Sequence, residues 1–102
     1  MNIVITITQV DCRKADIVET VVLNLEASNQ GERFEVAKDN LIIFGGVYDL
    51  QLSVSWVNMA VSFSLTNESD VVLRYGGVVT GHTHVDVSLG AGQLVEVLLE
   101  VK

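Results

Sequence analysis

The chain has no proline, a single cysteine, and only 6 basic residues against 13 acids. Each shortage excludes something. Without proline, nothing in the sequence removes a ladder hydrogen bond, so extended segments run uninterrupted. With Cys12 alone, an intrachain disulfide is excluded. The net charge of −7 repels phosphate and disfavours a nucleic-acid backbone as partner. The imbalance is steepest over residues 41–101, where Arg74 is the sole base. Such a surface keeps a domain soluble, or meets a basic protein or a divalent cation. No apolar run approaches the ~20 residues of a membrane helix. Met1-Asn2-Ile3-Val4-Ile5-Thr6 starts as a strand pattern and lacks the basic and apolar regions of a leader. The expectation is a cytoplasmic or virion protein that engages no membrane.

What is present is alternation. The chain is 49% hydrophobic over 102 residues, enough for one domain, 1–102, with a small core that oligomerisation would help to stabilise. Ile3, Ile5 and Ile7 share one face of a first segment, residues 2–10. After a polar connection, 11–16, the segment 17–27 places Val21, Leu23 and Leu25 inward. The stretch 11–20 is the one place for a helical turn. Phe34 and Val36 mark a short strand, and Leu41-Ile42-Ile43-Phe44 is a continuous apolar run, read as buried on both faces or passing under a loop. Gly45-Gly46 turns the chain.

The clearest segment follows. Tyr48, Leu50, Leu52, Val54 and Trp56 oppose Asp49, Gln51, Ser53 and Ser55. Beyond Trp56 the parity flips, and Val57, Met59, Val61, Phe63 and Leu65 become the apolar set. A single strand over 47–66 would be ~65 Å long, so the chain must bulge or reverse near Asn58, for instance with Asn58 in a left-handed conformation. Asn67-Glu68-Ser69-Asp70 is a hairpin turn. A strand over 71–75 ends at Gly76-Gly77. Val79, Val85, Val87 and Leu89 point inward from 78–89, and Gly90-Ala91-Gly92 leads to a last strand with Val95, Val97, Leu99 and Val101 inward. The pattern predicts an all-β antiparallel β-sandwich, Ig-like or jelly-roll-like, of about eight or nine strands. Its expected core is Ile3, Ile5, Leu23, Leu25, Leu50, Leu52, Val54, Trp56, Val61, Phe63, Val85, Val87, Val97 and Leu99. Ile43-Phe44-Gly45-Gly46-Val47 also echoes Arg74-Tyr75-Gly76-Gly77-Val78, as two related Greek-key halves, by shared turn chemistry or by coincidence.

One constellation has metal chemistry in it. Residues at i and i+2 stand on the same face of a strand. His82, His84 and Asp86 are therefore neighbours, at the spacing that lets His-x-His hold Zn, Fe, Ni or Cu. Such a site needs three or four ligands, so other strands or a second subunit must complete it. A solvated polar strand face would carry the same residues. Gly76, with five residues between it and His82-Thr83-His84, resembles the start of the cupin metal motif, but the glutamate of that motif is missing and only 18 residues follow His84. Thr80-Gly81-His82-Thr83-His84 resembles the Gly-His-x-His strands of phage tail-spike and tail-fibre tips. That resemblance covers five residues, and it implies a trimer with histidines around an axial iron.

Other signals are sparser. Cys12 beside Arg13 and Lys14 has the cations that favour a thiolate, but both histidines lie about 70 residues on, and no base is adjacent. Among the aromatics, Tyr75 at the Gly76-Gly77 strand end is the best candidate for an exposed ring, with Phe44 next. Val18 and Val22, and Leu94 and Leu98, sit opposite the expected core and form an apolar excess that an interface would cover. No nucleophile-base pair or phosphate-cradling loop is present. The reading is a non-enzymatic binding, inhibitory or assembly module, phage or virion related, with no cofactor. It acts through a protein partner or a homo-oligomer at Val18, Val22, Leu94, Leu98 and Tyr75. The alternative is a metal-binding β domain using His82 and His84 with Asp86, as a structural site at an oligomer axis or a small metalloenzyme.

Overall fold

The computed structural model describes residues 2–24, 33–55 and 58–102. Among the described residues are eight strands: β1 (Asn2–Asp11), β2 (Lys14–Asn24), β3 (Arg33–Ile43), β4 (Gly46–Ser55), β5 (Ala60–Asn67), β6 (Asp70–Val78), β7 (His82–Gly90) and β8 (Gln93–Val101). No helix of the described residues is long and apolar enough to cross a membrane. The strands form two four-stranded sheets, A with order β2-β1-β8-β7 and B with order β3-β4-β5-β6. Every pairing is antiparallel. The expected antiparallel sandwich is therefore present. Its connectivity is an up-and-down meander: sequential strands are hairpin partners except where the chain crosses between sheets, after β2 and after β6, and β1 pairs with β8.

Alternation builds the core. Ile3, Ile5 and Ile7 from β1, Leu50 and Val54 from β4, Leu65 from β5, and Val95, Val97 and Leu99 from β8 are fully buried between the sheets. Of the expected core, Leu52, Val61 and Phe63 are buried as well. Leu23, Val85 and Val87 are only half-buried against it, because they lie on the edge strands β2 and β7. Leu25 and Trp56 lie outside the described residues. The reversal near residue 58 is a hairpin, as the longest dimension of 43 Å requires. Met59, not Asn58, takes the positive φ of 56°. Asn58 instead accepts a hydrogen bond from the Ala60 N–H at its Oδ1, 3.1 Å.

Four readings of the sequence need correction. The polar stretch after β1 is a two-residue turn, Cys12-Arg13, and β2 starts at Lys14, leaving no helical turn. Leu41 and Ile43 are buried but Ile42 is 58% exposed, so the 41–44 run is ordinary alternation at the end of a long β3. The turn there is Phe44-Gly45, both at positive φ, as a two-residue hairpin loop demands. Gly76-Gly77 does not end a strand: β6 runs through it to Val78. Gly77 instead makes room for a side chain, since a Cβ there would stand 2.7 Å from the Tyr75 hydroxyl and the phenol would have to shift. The two double glycines therefore share no turn.

Candidate functional site

The two outer faces of the sandwich differ in chemistry. On sheet A the side chains that alternate with the core run in rows across β2, β1, β8 and β7. The register gives Val22–Val4–Glu100–His82, then Thr20–Thr6–Leu98–His84, then Ile17–Thr8–Glu96–Asp86, then Ala15–Val10–Leu94–Ser88. Aliphatic residues concentrate toward β2 and β1, interleaved with Thr20, Thr6 and Thr8, and continue to Leu94 and Leu98 on β8. Val4, Val10, Leu94 and Leu98 are half-buried on its central strands, while Ile17 is 68% and Val22 56% exposed on β2. The other side carries imidazoles and carboxylates.

On sheet B the central strands present Asp49, Gln51, Ser53 and Ser55 from β4 and Ala60, Ser62, Ser64 and Thr66 from β5. Longer side chains stand on the flanking strands, Glu35 on β3 and Arg74 on β6. Short residues between long ones leave a shallow trough of about 620 Å³ along the middle of this face. Exposed aliphatics are confined to its ends and margins: Ile42, Val47, Val71 and Val78.

His82, His84 and Asp86 do share the outer face of β7, all exposed. The register brings acids of β8 to them: Glu100 opposite His82, and Glu96 opposite Asp86. His84 Nε2 lies 3.7 Å diagonally from Glu96 Oε2. Among the described residues, no three His, Cys, Asp or Glu side chains converge closely enough to hold a metal ion. The sequence showed the histidine pair but not Glu96 and Glu100, which arrive through strand pairing.

The expected interface residues divide. Val22, Leu94 and Leu98 are on the outer face. Val18 is not; it packs against the core. A β-bulge pairs Ile7 with Glu19 and Thr8 with Ile17, so Val18 is left over between them and turns inward, while Ile17 takes the outer position. Tyr75 is no exposed platform either. It is half-buried, with its ring stacked on Phe63 at a centroid distance of 5.7 Å. Val4, Val10 and Ile17 belong to the aliphatic face but were missing from the sequence reading. For Val4 and Val10 the signal was available: they alternate with Ile3, Ile5 and Ile7.

Cys12 is exposed in the β1–β2 turn, where its N–H donates to the Gly92 carbonyl at 2.6 Å. Asp11 pairs with Gln93, whereas His84 pairs with Leu98. Five residues of β8 separate those positions, ~17 Å of strand, so thiol and imidazole do not meet. No family model, curated protein or solved structure matches the chain.

Proposed function

We propose that this domain is a non-enzymatic assembly module, and that the outer face of sheet A is its contact surface for a second copy of the chain. The observation that carries the reading is the contrast between the central strands of the two sheets. β1 and β8 turn Val4, Val10, Leu94 and Leu98 outward beside Thr6, Thr8, Glu96 and Glu100, where β4 and β5 turn out serines, a glutamine, an aspartate, an alanine and a threonine, with Val47 at the start of β4. A sandwich needs only one covered face per sheet, so a second aliphatic face is surplus to the monomer. Four strands ~4.8 Å apart and about 30 Å long give a face on the order of 600 Å² before side-chain relief, close to the ~800 Å² per partner of a stable contact. The dispersed placement of Cys12 and the histidines supports binding over catalysis.

Sedimentation of the wild type beside Val22→Glu and Leu98→Glu tests the reading. Both positions are outside the core, so the variants should keep the wild-type far-UV spectrum and, in dilute solution where association does not contribute, its melting behaviour. The expected result is weaker self-association in each. Variants that associate as the wild type does would overturn the reading.

A further inference from the structure

A two-sheet sandwich has four edge strands, here β2, β7, β3 and β6. An edge with free N–H and C=O groups is a template for another chain unless a bulge, a proline or a lysine blunts it. Three of these edges are interrupted within the strand. β2 carries the bulge at Val18. In β3 the register jumps between Lys38 and Leu41, with Asn40 at φ 61°. In β6 Val72 is passed over between Leu73 and Val71. On β7 the positions His82 to Ser88 pair one-to-one with Glu100 to Leu94, and the irregularity comes only after Ser88. No Lys, Arg, Gly or Pro occurs between His82 and Ser88.

The ladder fixes which groups of β7 are free. The Val101 N–H donates to the Gly81 carbonyl at 2.8 Å. Bonded and non-bonded pairs alternate along an antiparallel ladder, so Thr83, Val85 and Val87 direct their backbone groups at β8. His82, His84, Asp86 and Ser88 direct theirs away from it, to the side where, among the described residues, sheet A has no further strand. A partner strand must therefore pair even positions with even positions.

We propose that β7 pairs antiparallel with β7 of a second copy, in the register centred on Val85, joining the two A sheets into one. The side chains select this occupant and this register. Centred on Val85, His84 stands opposite the partner copy's Asp86 and Asp86 opposite its His84, while His82 meets Ser88. On the inner side Val85 meets Val85 and Thr83 meets Val87. A shift that centres the pair on His84 sets two imidazoles face to face, and one that centres it on Asp86 sets two carboxylates face to face, which strand pairs disfavour. Among the described residues, the titratable groups around this register are on β7 and β8: His82, His84 and Asp86 on the former, Glu96 and Glu100 on the latter. Pairing also extends the core past Val85, Val87 and Leu89, which are half-buried on the monomer's edge. This contact goes beyond the face contact proposed above, since it uses backbone groups and a different side of the sheet.

The test is hydrogen exchange on the full chain over a concentration series, read at the His84 and Asp86 amides, together with sedimentation. Neither amide has a ladder partner among the described residues of the monomer, so edge pairing protects both as concentration rises, whereas docking through the outer face protects neither. His84→Pro removes an N–H that β8 does not use, and should weaken edge pairing by at least about tenfold with the monomer fold kept. His84→Asp puts two carboxylates opposite one another and should weaken it similarly. The exchange His84→Asp with Asp86→His restores the opposite pair and should recover association to within about threefold of wild type. Far-UV spectra establish that each variant is folded. Unprotected His84 and Asp86 amides in a concentrated wild-type sample would overturn the proposal, as would a swap variant no better than His84→Asp. Loss of association in Leu98→Glu with those amides still unprotected leaves the face contact standing and removes the edge contact. Protected amides in Leu98→Glu do the reverse.

Discussion

The phenol of Tyr75 lies across Gly77, two residues along the same strand, so closely that a Cβ on Gly77 would stand 2.7 Å from the hydroxyl and 3.2 Å from the ring carbon bearing it. The neighbouring Gly76 faces the other way, and a Cβ there would meet nothing within 4 Å. Two adjacent glycines in one strand therefore do different things. Neither has the positive φ that would make alanine strained. Gly76→Ala should stabilise the domain by about 0.5–1 kcal/mol, the entropy and propensity gain of alanine in a strand. Gly77→Ala must move the tyrosine and disturb its stack on Phe63, which is worth about 0.5–1.5 kcal/mol. It should fall below Gly76→Ala by about 1 kcal/mol or more and change the near-UV tyrosine signal, as chemical denaturation and near-UV dichroism would show. Equal stabilities would contradict this placement of Tyr75.

The bulge in β2 makes a similar distinction between two valines. Val18 packs on the core and Val22 is 56% exposed. Val18→Ala should cost about 1 kcal/mol, and Val22→Ala within about 0.5 kcal/mol of zero in the monomer. Leu50→Ala, at a fully buried position, sets the upper end of the scale at about 2–5 kcal/mol. Urea denaturation of dilute protein gives all three values. A Val22 loss larger than the Val18 loss would mean that β2 pairs without the bulge.

These pairs show what the sequence could and could not convey. Strand alternation was legible because no proline interrupts it, and because Ile3, Ile5 and Ile7, or Leu50, Leu52 and Val54, keep strict period two. The turns at Glu68-Ser69 and Ala91-Gly92 announced themselves through their polar and glycine residues. Two of the bulges did not. Val18 and Val72 sit in ordinary sequence, and each is displaced by how its partner strand pairs, whereas Asp39-Asn40 carries a local signal in an asparagine that tolerates the left-handed φ of 61°. The histidine pair was visible for the same reason as the core, being a period-two pattern within one strand. Its acidic neighbours Glu96 and Glu100 come from β8, and β7 is an edge only because the chain crosses to sheet A after β6.

That histidine face has a clear expected energetics. His84 and Glu96 are 3.7 Å apart, with side chains 46% and 36% exposed. An ion pair in such a setting contributes about 0–1 kcal/mol at most when the imidazole is charged, and salt weakens it further. Replacing His82 and His84 together by alanine should shift monomer stability by no more than about 0.5 kcal/mol. Titration of dilute protein with zinc should show no tight binding, because among the described residues no third donor converges on the pair. Tight, stoichiometric zinc uptake at low protein concentration, lost in the double variant, would show that the shell closes within one chain.

The last expectation concerns the end of the sandwich where two hairpins meet. Cys12 takes a φ of 57° and Gly92 a φ of 71°, and the Cys12 N–H is bonded to the Gly92 carbonyl. A Cβ on Gly92 would lie 3.0 Å from the Cys12 Sγ and 3.8 Å from its backbone nitrogen. The glycine is thus held by both its own dihedral and its neighbour. Gly92→Ala should cost about 1–2 kcal/mol through the left-handed conformation, plus whatever displacement of the thiol adds. Cys12→Gly should do the opposite. It relieves a non-glycine residue at positive φ and removes the crowded sulfur, for a gain that flexibility in the unfolded chain holds to about 0.5–1 kcal/mol. The cysteine is exposed, so a thiol reagent should label it in the native state. Thermal melts of the two variants measure the energies. If the double variant Cys12→Gly with Gly92→Ala is less stable than the sum of the singles implies, the sulfur is not what crowds Gly92. Recovery by about 0.5 kcal/mol or more beyond additivity would show that the contact between the two hairpins is as tight as the structure has it.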